Sequence, residues 1–467
     1  MLFSSVTFIY YFLPATLILY YIIPQPKGDT RYRNAALLLA GVVFYSWGEP
    51  RYIFLMAAQC VSAWFFGILI DKNKTNNRVK RAMMLISVAV SLSGLIFFKY
   101  INFFIGTVNR FGTDLALIKL TMPVGISFYT FQIISYTLDL YRGEVKVQRG
   151  LLAFTTYVTL FPQLIAGPIV RYAGISREII KREHSVPRFA LGIRRFIIGL
   201  SKKTLLANLF GELVLVYKKS GDTGVLFTWL YILAFALQIY FDFSGYSDMA
   251  IGLGHMFGFR FAENFNYPYT AGSVTEFWRR WHISLSGWFR DYIYIPLGGN
   301  RVRTARFVFN VMIVWTLTGF WHGADWNFML CGAYFGVILL TEKFFLIKKL
   351  NKAPGFINMV YMILVISIGW ALFDAGDITA LAIIGRMFGL GAGGLAGQQA
   401  LYYLRSYTVP LFAGIIGMTP LMAKLFNKVQ NRRIMTFVEP AGLVLLFILS
   451  TACIVDGSFN PFIYFRF

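Results

Sequence analysis

Apolar runs of roughly 17–25 residues recur along this chain, each long enough for a helix to cross the hydrocarbon of a bilayer. Away from water every backbone N–H and C=O must find a partner within the protein, so only helices and closed barrels can span. The short alternating segments of a barrel are absent. The predicted fold class is therefore all-α: a polytopic helical membrane protein, one membrane-embedded domain over residues 1–467. Composition agrees, with 57% hydrophobic, 18% aromatic and only 14% charged residues, where a soluble domain carries about 25% charged.

About twelve membrane helices are expected, near 6–24, 34–49, 52–70, 83–105, 121–141, 190–217, 225–252, 307–321, 326–342, 355–374, 407–423 and 436–455. The net charge is +23, from 44 Lys+Arg against 21 Asp+Glu. These basic residues gather in short loops at 27–33, 71–82, 142–150, 171–188, 343–352 and 424–433, which reads as positive-inside bias and attraction to anionic lipid rather than nucleic-acid binding. An anionic cytosolic ligand could use some of the same charge. Twelve crossings put all these loops in the cytoplasm and both termini outside; Lys218-Lys219 is the misfit. The stretch Met1–Ile23 lacks a basic n-region and a cleavage site, so it reads as a first membrane helix. Cys60, Cys331 and Cys453 show no paired spacing, which argues against a disulfide framework or a zinc site.

Two segments break the pattern. Leu151–Val170 is apolar, yet basic loops flank it, and Pro162 and Gly167-Pro168 interrupt a helix. A re-entrant hairpin satisfies both facts, and such backbone persists at membrane depth only beside protein or water. Val274–Leu297 interleaves aromatic and basic residues and suits an amphipathic helix lying at the cytoplasmic interface.

His322 is one of only four histidines and ends the apolar run Phe307–Trp321. At about 1.5 Å per helical residue it lies roughly 20 Å past the basic stretch Asn300–Arg306. An ionisable group at such depth is read first as functional. A neutral imidazole can take a proton from a hydroxyl attacking a carbonyl; the alternative is a structural histidine bonded to a neighbouring helix. Trp321 stands beside it. Asp325 could orient the ring, but capping the next helix is the simpler role. His282, in Trp278-Arg-Arg-Trp-His-Ile-Ser284, reads more readily as an interfacial residue than a catalytic one, or as part of a ligand's access path. No carboxylate or cysteine cluster accompanies the two histidines, so no metal site is expected. Gln238, Asp242, Ser244, Tyr246, Ser247 and Asp248 place polar groups inside another apolar run. Its two carboxylates demand partners, for which the arginines of the interfacial helix are the nearest candidates. That stretch is either structural glue or the wall of a polar passage. Arg279, Arg280, Arg290, Arg301, Arg303 and Arg306 suit either the phosphates of a cofactor or lipid headgroups. The tail Ser458–Phe467 either anchors at the outer interface or brings a tyrosine into a pocket as an acyl carrier.

These residues together resemble one family. Tyr45-Ser-Trp-Gly-Glu-Pro50, Pro123-Val-Gly-Ile-Ser-Phe-Tyr-Thr-Phe-Gln132, Phe161-Pro-Gln-Leu-Ile-Ala-Gly-Pro-Ile169 and Tyr240-Phe-Asp-Phe-Ser-Gly-Tyr-Ser-Asp248 lead to the more specific blocks. Those are Phe277-Trp-Arg-Arg-Trp-His-Ile-Ser-Leu285, Tyr294-Ile-Pro-Leu-Gly-Gly-Asn300 and Gly319-Phe-Trp-His-Gly323. In order and number they resemble the membrane-bound O-acyltransferases over nearly the whole length. The nearest branch acetylates alginate or peptidoglycan, and a more distant one D-alanylates teichoic acid. The resemblance implies that His322 is the catalytic histidine and His282 the second one. It also implies a central tunnel joining a cytoplasmic acyl donor, expected to be acetyl-CoA and not a tightly bound cofactor, to an external acceptor. That acceptor is an envelope polysaccharide, usually reached through an external SGNH-hydrolase-like O-acetyltransferase in a bacterial inner membrane. In the D-alanylation branch a separate peptide ends in a similar aromatic motif, and Tyr464 matches its acyl-carrying tyrosine. A pure transporter, a scaffold for a secreted transferase, and D-alanyl transfer are the rival readings.

Overall fold

A helix pairs its own backbone groups, and this chain uses little else. The computed structural model describes residues 1–26, 29–375, 379–457 and 463, among which there is no strand. The helices are α1 (Thr7–Ile22), α2 (Arg31–Ser46), α3 (Ile53–Lys72), α4 (Asn77–Asn109), α5 (Ile126–Arg142), α6 (Leu151–Thr159) and α7 (Phe161–Leu164). They continue with α8 (Tyr172–Ile180), α9 (Val186–Ser201), α10 (Asn208–Lys219), α11 (Val225–Met256), α12 (Val274–Arg280), α13 (Ile283–Phe289) and α14 (Thr304–His322). Then follow α15 (Trp326–Leu350), α16 (Gly355–Phe373), α17 (Ala380–Met387), α18 (Gln398–Ser406), α19 (Thr408–Gly417), α20 (Leu421–Val429) and α21 (Met435–Asp456). Among the described residues six helices are long and apolar enough to cross a membrane: α3, α4, α11, α15, α16 and α21. The pair α19–α20 makes a seventh if counted as one span. The sequence places a membrane helix near 407–423, and the chain there is a pair of helices bent by 69°. Pro420, which cannot donate a backbone hydrogen bond and restricts Thr419 before it, sits in the break.

The chain divides into two compact units, residues 1–196 with 247–262, and residues 197–246 with 263–467. In the first unit the stretch 151–170 is broken, as its prolines predict: α6 and α7 are short, and residues 156–170 are all buried. Side chains satisfy some of the irregular backbone. Gln163 Nε2 donates to the Tyr157 carbonyl (2.6 Å) and the Tyr157 hydroxyl to the Val170 carbonyl (3.1 Å). Tyr136, Phe154, Tyr157 and Tyr172 form an aromatic cluster around it. Asp248 pairs with Arg195 of α9 (2.8 Å), a partner other than the interfacial arginines that the sequence offers. His184, between α8 and α9, hydrogen-bonds the Tyr20 hydroxyl (2.9 Å). Burial first, then the charges of Arg33 and Arg182, push its pKa down to about 4.

The second unit carries an apolar core built from α10, the first part of α11, α12, and α15 to α19. Asp242 pairs with Lys203 (2.7 Å), both almost fully buried; again the expected arginine partners are not used. Lys218, the charge that misfits the positive-inside pattern, pairs with Asp374 (2.7 Å), and Tyr231 donates to the same carboxylate (2.8 Å). The lysine is thus neutralised. Helices α14 and α15 approach until their backbones touch. A Cβ on Gly319 would lie 2.1 Å from the Phe328 carbonyl oxygen, and one on Gly332 2.2 Å from that of Trp315. No side-chain rotation relieves a clash with backbone. Gly332→Val is expected to destabilise the protein by at least about 1–3 kcal/mol, the usual cost of overpacking, seen as a lower Tm in detergent.

Candidate active site

The close glycine contact brings α14 and α15 together where the chain turns between them. The helix α14 ends at His322, Gly323 is extended, and the Asp325 carboxylate accepts the Trp326 N–H (2.6 Å) to cap α15. Asp325 therefore caps, as the simpler expectation has it. His322 is half-buried at its helix end, its ring edge-on to Phe373 with centroids 5.5 Å apart.

The segment expected to form one interfacial helix is two. α12 ends at Arg280 and α13 begins at Ile283, with His282 between them at a left-handed φ of 44°. Such a conformation in a non-glycine residue costs on the order of 1–3 kcal/mol and persists only where surroundings impose it. Asn264 imposes it here. Its Oδ1 accepts from His282 Nδ1 (3.2 Å), Ser284 N (3.1 Å) and Ser284 Oγ (2.9 Å), while the Asn264 carbonyl accepts the Ile283 N–H (3.0 Å). With Nδ1 donating to an amide oxygen, Nε2 is the nitrogen left with a lone pair. His282 is 2% exposed, so it is no interfacial residue. Its ring lies edge-on to Phe243 (4.6 Å) and 6.1 Å from Trp321, which also touches His322 (5.1 Å). Burial holds the His282 imidazole well below the usual histidine range, and His322 acts in the same direction. Trp321 thus packs between the two histidines and is itself buried.

Both histidines border a cavity of about 680 Å³. Its lining carries Arg279, Arg290 and Lys343 and, among the described residues, no carboxylate, so the space favours an anionic ligand. Pockets of 300–1,000 Å³ suit drug-sized ligands. A second, narrow cavity of about 40 Å³, with room for water, is lined by Ile239, Phe243, Cys331, Phe335, Trp370 and Phe373 among others. His322, Thr318, Trp278, Trp281 and Trp315 border both cavities.

The four arginines expected near a cofactor divide. Arg279 and Arg290 line the large cavity, although Arg290 also pairs with Asp291 (2.7 Å). Arg280 instead pairs with Glu276 and donates to Thr270 Oγ1 (3.0 Å), and Arg301 is exposed outside the lining. Gln238, Asp242 and Ser244 are buried on α11, outside the lining of either cavity. Asp248 belongs to the first unit. Tyr464 lies outside the described residues.

A scan against known families finds the membrane-bound O-acyltransferase model over residues 146–348, the stretch that holds both cavity histidines. A probable alginate O-acetylase of Azotobacter vinelandii is 36% identical, with all of both chains covered. The chain belongs to the membrane-bound O-acyltransferase family. It is an O-acyltransferase of a multi-pass membrane type. A peptidoglycan O-acetyltransferase of Helicobacter pylori is 29% identical over all of this chain and 98% of its own length. A teichoic acid D-alanyltransferase of Bacillus subtilis is more distant, 28% identical over 49% of this chain and 60% of its own.

Three residues of this acyltransferase's site escaped sequence reasoning. Asn264 lies in a loop 18 positions before His282. Lys343 begins what the sequence presents as an ordinary basic loop, yet it lines the cavity, 3.6 Å over the Phe307 ring. Glu342 is fully buried. Its carboxylate accepts Val274 N (2.6 Å), Thr275 N (2.8 Å), Thr275 Oγ1 (2.6 Å) and the Tyr361 hydroxyl (3.0 Å). It closes the N-terminus of α12, the helix that presents Trp278 and Arg279. A glutamate ending a long apolar run was the available signal. Asn264→Ala is expected to cost about 1–3 kcal/mol through unpaired buried donors and to lower turnover. Asn264→Asp, which keeps an acceptor, should retain more of both. Melting curves and initial rates of the two variants check this.

Proposed function

We propose that this protein moves an acetyl group from a cytoplasmic thioester, acetyl-CoA, through the membrane for O-acetylation of a cell-envelope polysaccharide, alginate-like or peptidoglycan. The observation that carries the reading is His322 bordering both a large, positively lined cavity and a narrow aromatic one. Arg279, Arg290 and Lys343 are suited to the phosphates of the donor, with its thioester toward the histidine. The names of the alginate and peptidoglycan relatives support acetyl as the group and a polysaccharide as the final acceptor.

In the reaction, the acceptor hydroxyl oxygen attacks the thioester carbonyl carbon while His322 takes the hydroxyl proton. The tetrahedral intermediate collapses, the C–S bond breaks, and the thiolate takes the same proton from the imidazolium. An ester and a free thiol result. His282, neutral and held by Asn264, polarises the reacting groups near His322. The immediate acceptor is Tyr464 of the tail or a serine on an SGNH-hydrolase-like O-acetyltransferase outside. The protein sits in a bacterial inner membrane with twelve crossings, the re-entrant stretch 151–170 and both termini outside, acting as one domain.

Purified protein in nanodiscs should consume acetyl-CoA and release thiol. His322→Ala should lower that rate by at least about 100-fold, the scale of general-base catalysis, without loss of folding. An unchanged rate would remove the enzymatic role of His322. Intact acetylation of the polymer in cells carrying His322→Ala would favour a scaffold instead. D-alanyl thioester consumed in place of acetyl-CoA would favour the teichoic-acid chemistry. For the relay, Tyr464→Phe should abolish the acetylated C-terminal peptide in mass spectra and slow acetyl export.

A further inference from the structure

The carboxylate of Asp242 is hard to account for as glue alone. It is 1% exposed, on a helix whose apolar window is 72% buried. Lys203, itself 3% exposed, neutralises it through Oδ1 at 2.7 Å. Replacing such a buried ion pair by apolar residues is often neutral for stability, so the pair by itself is weak evidence of a stabilising role. What distinguishes Asp242 is its other oxygen. Oδ2 accepts the backbone N–H of Ile463 at 2.8 Å. Ile463 belongs to the C-terminal aromatic stretch, is 2% exposed, and packs in the same apolar core as Cys331, Phe335, Trp370 and Phe373. Those four residues line the narrow cavity that His322 borders. Ile239, one turn before Asp242, and Phe243, next to it, line that cavity too.

Lys203 reaches Asp242 because α11 lies tight against the chain that carries it. A Cβ on Gly245 would fall 2.7 Å from the Gly199 carbonyl oxygen and 3.2 Å from Lys203 N. Lys203 sits in a π turn, Lys202–Ala207, a feature frequent at functional positions. Oδ2 supplies an acceptor in a dry core, where a backbone N–H left without one is costly.

We infer that Asp242, charge-balanced by Lys203, is a positioning residue that holds the chain at Ile463, through its N–H, in the apolar core that borders the His322 cavity. The residue that follows Ile463 in the sequence is Tyr464. The inference therefore rests on the reading of Tyr464 as acyl carrier for its purpose, though not for its geometry.

The test is amide hydrogen exchange on the full-length protein in detergent, read by mass spectrometry on the C-terminal peptide. The wild type should show an Ile463 amide slowed at least about tenfold relative to the unfolded peptide. Lys203→Met/Asp242→Leu removes both charges and the acceptor, and should lose that protection and acetyl transfer together. Lys203→Met/Asp242→Asn removes the charges but leaves an amide oxygen, and should keep both. A merely structural ion pair predicts that the two double variants behave alike. If the leucine variant does not fold, Lys203→Met/Asp242→Ala replaces it. A wild-type Ile463 amide that exchanges freely overturns the inference without any variant, as does a leucine or alanine variant that keeps the protection. Tyr464→Phe separates the two proposals. If it keeps the slow amide and also keeps full transfer, the relay fails while the docking role stands.

Discussion

The penalty for a bare polar group away from water organises this molecule. It is several kcal/mol in hydrocarbon and about 1–3 kcal/mol in a protein core. Several buried polar side chains answer that penalty by holding something in place. Glu342 closes the start of α12, and Asn264 secures the break that carries His282. Asp242 joins Lys203 to Ile463. Within the first unit, the glutamine and tyrosine at 163 and 157 satisfy a stretch of chain that has no helix of its own. Removing one member of such a pair leaves the other unpaired, which is why these groups give the site its rigidity.

Chemistry then follows from contrast. The large cavity is bordered by cations and the narrow one mainly by aromatic and aliphatic side chains, and His322 is common to both. A ring at that junction can meet a polar donor and a dry acyl group in turn. The second imidazole is buried, neutral and fixed in tautomer by Asn264. Two histidines of the same cavity thus have different environments, one buried against Asn264 and Phe243 and the other half-buried at a helix end.

Much of this was legible in the chain itself. Long apolar runs with basic punctuation can only be membrane helices, since no other regular structure pairs its backbone within one segment. The prolines and glycine of 151–170 announced a break, and Asp325 announced a cap. The depth of His322 within an apolar run marked it out. The motif blocks pointed to the family that the comparisons establish.

Other features depended on which distant residues meet. The sequence offers the arginines of 274–297 as partners for Asp242 and Asp248, but Lys203 and Arg195 hold those carboxylates, because helix packing selects partners. The aromatic–basic stretch 274–297 has the composition of one amphipathic helix. The chain instead breaks at His282, where Asn264 bonds the buried ring from a separate loop. Sequence determined that this chain crosses a membrane by helices and carries a histidine in an apolar setting, because both follow from the local cost of unpaired or charged groups in lipid. Tertiary structure alone decided that two histidines and three cations share one cavity, and that a carboxylate on α11 reaches the chain's far end. Those are contacts between segments far apart along the chain, and no local propensity encodes them.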